Sequence, residues 1–93
     1  MDKTNEIKQL TKTADVLKAI AHPVRLCIVK NLLDVNSCNV STMQSCLDMP
    51  QSTVSQHLAK LKSAGIIEGE RHGVEIIYKV VSEDVKRIIE VLK

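Results

Sequence analysis

The chain has one tyrosine and neither tryptophan nor phenylalanine, and its 93 residues include only three glycines and two prolines. The shortage of aromatics predicts an aliphatic core, because 44% of the residues are hydrophobic while 1% are aromatic. It also removes the stacking platforms on which RNA-binding sheets and single-strand grooves depend, so a nucleic-acid partner should be duplex DNA read by a helix. Scarce glycine and proline argue against an all-β fold, and the apolar content argues against disorder. Helices should dominate. No apolar run approaches the roughly 18 to 20 residues that cross a bilayer, and the opening segment lacks a signal-peptide stretch. No membrane is expected, and the expected location is the cytoplasm.

Cysteine is also sparse. Cys27, Cys38 and Cys46 are odd in number and lack C-x-x-C spacing, which indicates neither a disulfide framework nor a zinc knuckle. Thirteen Lys and Arg against 11 Asp and Glu give a formal charge of only +2. That is too mild to prove a polyanion partner, so the distribution of charge must decide. With no repeat, low-complexity tract or linker, residues 1–93 read as a single domain. A domain this small hides roughly 60–65% of the surface its unfolded chain exposes, leaving little for a deep substrate cavity. Ser, His and Asp occur without a nucleophile elbow, phosphate loop or metal motif, so neither an enzyme nor a cofactor is expected.

The hydrophobic period places the elements. Ile7, Leu10, Ala14, Leu17 and Ala21 recur at helical spacing and predict a helix over about 5–21, ending near His22-Pro23. Pro23 suits the first turn of a second helix, about 23–34, with Leu26, Val29 and Leu33 on one stripe. Asp34 to Asn39 reads as a polar turn. Ser41 is the expected cap of a short helix to about Leu47, and a longer one follows over 51–64 with Val54, Leu58 and Leu61 on its buried face and Gly65 as C-cap. The period then falls to about two, giving a hairpin over 66–80 with its tip at Arg71-His72-Gly73. Ser82 opens a last helix over 82–92.

Two helices joined by a tight turn, the second followed at once by a hairpin, is the order of a winged helix-turn-helix: mainly α, α-α-α-α-β-β-α. The outer face of the fourth helix suits duplex DNA. Between Gln51 and Ser63 there are two lysines and no acid. Gln51 and Ser52 stand where such helices enter the major groove. Gln56 offers the paired donor and acceptor that adenine requires, Thr53 and Ser55 supply hydroxyls, and Lys60 and Lys62 can neutralise phosphates. His57, at the edge of the buried stripe, can either pack or reach a phosphate. Arg71 and His72 can lie along the adjacent backbone or minor groove as a wing, or form an ordinary solvated turn.

Ala21-His22-Pro23-Val24-Arg25-Leu26-Cys27-Ile28-Val29, then Pro50-Gln51-Ser52-Thr53-Val54-Ser55-Gln56-His57-Leu58-Ala59-Lys60-Leu61, then Ala64-Gly65-Ile66-Ile67 closely resemble the ArsR/SmtB family of bacterial repressors. The resemblance implies a homodimer whose first and last helices pair across a two-fold axis, on a palindromic operator with two half-sites. Independently, the stripes Ile7, Leu10, Ala14, Leu17 and Val85, Ile88, Ile89, Leu92 offer more apolar surface than so small a core needs, and are the expected interface. Either stripe can equally cover the monomer's own core.

The family resemblance also raises the question of a signal. A thiolate metal site in the third helix would have only Cys46, with Cys38 eight residues earlier, and the last helix has no His, so no metal is expected. Relatives that sense oxidants or reactive sulfur commonly pair cysteines on the second and last helices. Cys27 lies on the second, and would need Cys38, Cys46 or a partner subunit. The expectation is a DNA-binding repressor with an unknown inducer. The alternatives are a thiol-responsive repressor and a winged-helix module that binds protein instead of DNA.

Overall fold

The computed structural model describes residues 3–92, so the two first residues and the last of the expected unit lie outside the described residues. The order is α1 (Lys3–Ile20), α2 (Pro23–Val35), β1 (Cys38–Asn39), α3 (Val40–Leu47), α4 (Gln51–Ser63), β2 (Ile67–His72), β3 (Glu75–Val80) and α5 (Glu83–Leu92). It is a winged helix with one strand more than the sequence suggests. Cys38 and Asn39, expected in a turn, pair antiparallel with Tyr78 and Ile77 and make the sheet three-stranded, in the order β1-β3-β2. Two residues are too short to carry an alternating pattern, which is why the polar turn was the natural reading.

Local chemistry sets the helix ends. His22 is the N-cap of α2, its Nδ1 accepting from the Val24 N–H at 3.1 Å, and Pro23 occupies the first turn, where its missing N–H costs nothing. The cap of α3 is Asn39 rather than Ser41: Asn39 Oδ1 accepts from the Thr42 N–H at 2.8 Å. Leaving β1 in an extended conformation puts Asn39 three residues before that amide, while Ser41 already lies inside the first turn. At the other end of α4, Gly65 has φ 75°, Ile66 N–H donates to Leu61 O at 3.0 Å and Gly65 N–H to Lys62 O at 3.0 Å. This is the paired bonding of a Schellman stop, and it turns the chain directly into the hairpin. Ser82 Oγ accepts from the Val85 N–H at 3.2 Å and caps α5.

The core is aliphatic throughout. Ile20, Ile28, Val29, Leu32, Met43, Val54, Leu58, Leu61, Ile66, Ile67, Val80, Val85 and Ile89 form one buried cluster. Two expectations are corrected here. The buried face of α2 is Ile28, Val29 and Leu32, with Leu26 and Leu33 only half-buried at its edges. Val85 and Ile89 of α5 belong to this core rather than to an exposed interface stripe, since α5 lies against the molecule's own body. By contrast, α1 buries only Ile20 out of 18 residues.

A candidate DNA-reading helix and wing

α4 packs on α1, α2, α3 and β2 through Val54, Leu58 and Leu61, all buried. A helix pinned by one stripe presents the opposite side. Gln51, Ser52, Ser55, Gln56, Ala59, Lys60, Lys62 and Ser63 are exposed, and Thr53 is half-buried. The exposed side therefore gathers two amides, three hydroxyls and two ammonium groups without a carboxylate. Its N-cap, Pro50, makes no side-chain cap, and its carbonyl accepts from Thr53 and Val54 at 3.1 and 3.2 Å. The first amides of α4 lie at the positive end of the helix dipole, where a phosphate is favoured.

His57 is half-buried and faces inward from this surface. Its Nδ1 lies 3.3 Å from Arg25 Nη1, and its ring centroid is 4.6 Å from that of His22, tilted by 44°. Burial, then the charges of His22, Arg25 and Lys60, hold it below the usual histidine range. Packing thus describes its local setting.

The wing differs from expectation at its tip. Arg71 pairs with Ile76 and His72 with Glu75, so both belong to β2, and the turn is Gly73-Val74. Gly73 supplies φ 66° at the first turn position, as a two-residue type II′ hairpin requires, and Val74 is 100% exposed. Arg71 is exposed on the strand behind the tip. His72 is exposed too, with its Nε2 3.5 Å from Glu70 Oε1, which tempers the charge it offers. Beside the turn of the wing Asn39 Nδ2 donates to Glu75 Oε1 at 3.0 Å. One asparagine therefore joins the start of α3 to β3, a link that the polar run Asp34 to Asn39 gave no means of finding.

A family model described as bacterial regulatory protein, arsR family, matches residues 22–68, from the α2 cap into β2. The transcriptional repressor PagR of Bacillus anthracis is 39% identical over 92 residues, covering 99% of this chain and 92% of PagR. The chain belongs to the ArsR family. The crystal structure of PagR matches it with a TM-score of 0.87 over 94% of this chain and 99% of PagR. Reduced HlyU from Vibrio cholerae matches at 36% identity with a TM-score of 0.86, over 95% of this chain and 92% of HlyU. A homodimeric winged helix-turn-helix DNA-binding domain from Mycobacterium bovis matches at 31% identity with a TM-score of 0.86, covering 98% of this chain and 83% of that one. The ArsR family is one of transcription regulators, which is not an enzyme class.

In this ArsR-family chain the three cysteines divide into two places. Cys38 and Cys46 line one cavity of about 320 Å³ between α2, β1, α3 and β3, with Asn31, Val35, Met43 and Ile77 among its walls. Burial first, then Cys46, pushes the Cys38 thiol up from its ordinary range, against opposing hydrogen bonds from Thr42 and the Met43 backbone. Cys27 is exposed in another cleft, beside Leu26, Lys30, Ile89 and Leu92. The pair that shares a cavity is therefore Cys38 with Cys46. Among the described residues no three His, Cys, Asp or Glu are grouped to hold a metal ion, and no helix is long and apolar enough to cross a membrane.

Proposed function

We propose that the chain is a homodimeric, sequence-specific repressor of transcription that binds a palindromic duplex operator in the cytoplasm, with α4 in the major groove. The observation that carries this reading is the acid-free exposed side of α4, set immediately before a hairpin bearing Arg71. In this role Gln51, Ser52, Thr53, Ser55 and Gln56 meet base edges and nearby phosphates. Lys60, Lys62, Arg71 and His72 meet the backbone, and His57 supports the helix from behind. Ile7, Leu10, Ala14 and Leu17 of α1 pair across a two-fold axis, with Ile88 and Leu92 at the margin. Support for the dimer comes from α1, whose apolar stripe the monomer leaves in solvent, and from the homodimeric M. bovis relative.

Selection of bound sequences from random duplex DNA, followed by gel shift at low salt, tests the reading. The expected result is a symmetric consensus with half-sites spaced by about one helical turn, roughly 34–36 Å, or a multiple of it. Absence of any shift would instead favour the protein-binding module. A thiol-responsive form of the repressor has one observation in its favour, the cavity shared by Cys38 and Cys46. Oxidation that lowers operator affinity in the parent but not in Cys38→Ser would support it, and unchanged affinity after verified oxidation would dismiss it.

A further inference from the structure

α1 and α2 meet behind α4, and the three helices are tied by two histidines and one arginine. Arg25 on α2 donates from Nε to the Ala19 carbonyl in the last turn of α1, and its Nη1 lies 3.3 Å from His57 Nδ1 on α4. A guanidinium has only donors. For this contact to be a hydrogen bond His57 Nδ1 must accept, which requires a neutral ring with its hydrogen on Nε2. His22 is constrained in the same way, because its Nδ1 accepts the Val24 N–H that caps α2.

We infer that Arg25 is a positioning residue for the DNA-reading helix, holding α4 against the α1–α2 junction through a neutral His57, so that operator affinity falls on acidification. The inference rests on the operator-binding reading above. Adding a proton to His57 Nδ1 would set an N–H against the Arg25 guanidinium. The groups bearing on His57 are His22 from the α1–α2 junction, Arg25 from α2 and Lys60 from α4 itself. Arg25 and Lys60 are cations and none of the three is a carboxylate, so these groups do not compensate a new positive charge. His57 is already held below its ordinary range in the docked arrangement. The undocked helix takes the proton more readily. Docking is therefore fully present above the ordinary histidine value of about 6.5 and is lost as pH falls from there through the lower value of docked His57. A histidine that merely touched a DNA phosphate would do the opposite, binding more tightly when charged.

The test measures operator affinity by fluorescence anisotropy between about pH 8 and about pH 5.5 at fixed ionic strength, with His72→Gln carried in the parent and in every variant so that the wing histidine does not contribute. If only neutral His57 supports docking, affinity should fall progressively as pH drops below about 6.5, the ordinary histidine value. The parent at about pH 8 is the reference. Arg25→Gln should weaken binding at about pH 8 and flatten the profile, and Arg25→Lys should recover only part, because one nitrogen cannot occupy the two separate positions from which Nε and Nη1 reach the Ala19 carbonyl and His57. Nitrogen NMR of the free protein should show His57 neutral, with its hydrogen on Nε2, and Arg25→Gln should raise its titration midpoint. A flat or rising affinity on acidification, with the parent binding normally, would overturn the inference while leaving the repressor reading intact. If the parent bound no duplex at any pH, that reading would fall, and the imidazole spectra alone would decide the positioning role. A charged His57 at neutral pH or a hydrogen on Nδ1 would then refute it.

Discussion

Leu10 separates the two possible uses of the apolar stripe on α1. In the single chain Ile7, Leu10 and Leu17 are 60%, 53% and 46% exposed, so roughly half of each side chain remains in water. Full burial of such a side chain is worth about 1.5–3 kcal/mol, which leaves roughly 1 kcal/mol to be gained by covering the exposed half of Leu10. A two-fold interface presents each residue twice, so Leu10→Ala should weaken the dimer by about 2 kcal/mol, about 30-fold in its dissociation constant. Adding Leu17→Ala should bring the loss to about 4 kcal/mol, about 1,000-fold. Alanine is the best helix former, so α1 itself should survive. Sedimentation equilibrium over a concentration series reads the effect directly. Val85→Ala is the contrasting control: Val85 is 0% exposed within the monomer, and its truncation should cost roughly 1–3 kcal/mol of folding stability without loosening the association of folded chains. A Leu10, Leu17 double variant that still dimerised within threefold of the parent would show that α1 is not the interface. It would remove the geometric basis for a palindromic operator.

Gln56→Ala should relax base preference at particular positions by about 1–3 kcal/mol, whereas Lys60→Ala should weaken all sequences alike and reduce the salt slope by about one; identical behaviour of the two in competition gel shifts would count against α4 in the groove. Gly65→Ala places a Cβ in open space but forces alanine into φ 75°, so the urea midpoint should fall by about 1–2 kcal/mol of stability at unchanged slope. Dibromobimane loses two bromides and fluoresces once both arms are joined to thiols. It should light up the parent and Cys27→Ser but not Cys38→Ser or Cys46→Ser, and a signal that required Cys27 would contradict the shared cavity.

What could be read from the residues followed how far each physical signal reaches along the chain. The exposed and buried sides of α4 were legible because Val54, Leu58 and Leu61 fix its rotation, and every other side chain then follows at about 100° per residue. Gly73 likewise announced a hairpin. Its exact turn was not legible, because Arg71-His72-Gly73 and Gly73-Val74 both satisfy the glycine and only cross-strand register chooses between them. Asn39 escaped for a related reason: it closes a two-residue strand, caps α3 and bonds Glu75, and two of those three partners are set by tertiary contact. The Arg25–His57 contact joins residues 32 apart in sequence, beyond any local pattern.

The two apolar stripes carry the same lesson in a form that bears on function. A helical stripe says that a face must be covered, but not by what. Val85 and Ile89 are covered by the chain's own core, whereas Ile7, Leu10 and Leu17 are not, and no aromatic bulk is available to reach them. If a second copy covers them, the recognition helices come as a pair. The free energies of two half-sites then add, so a glutamine that discriminates by about 1–3 kcal/mol in one copy discriminates by about 2–6 kcal/mol in the dimer when both half-sites change. On that reading a small aliphatic domain with mild net charge would acquire operator specificity by the doubling, and α1, outside the proposed groove contacts, would be the element on which the specificity depends.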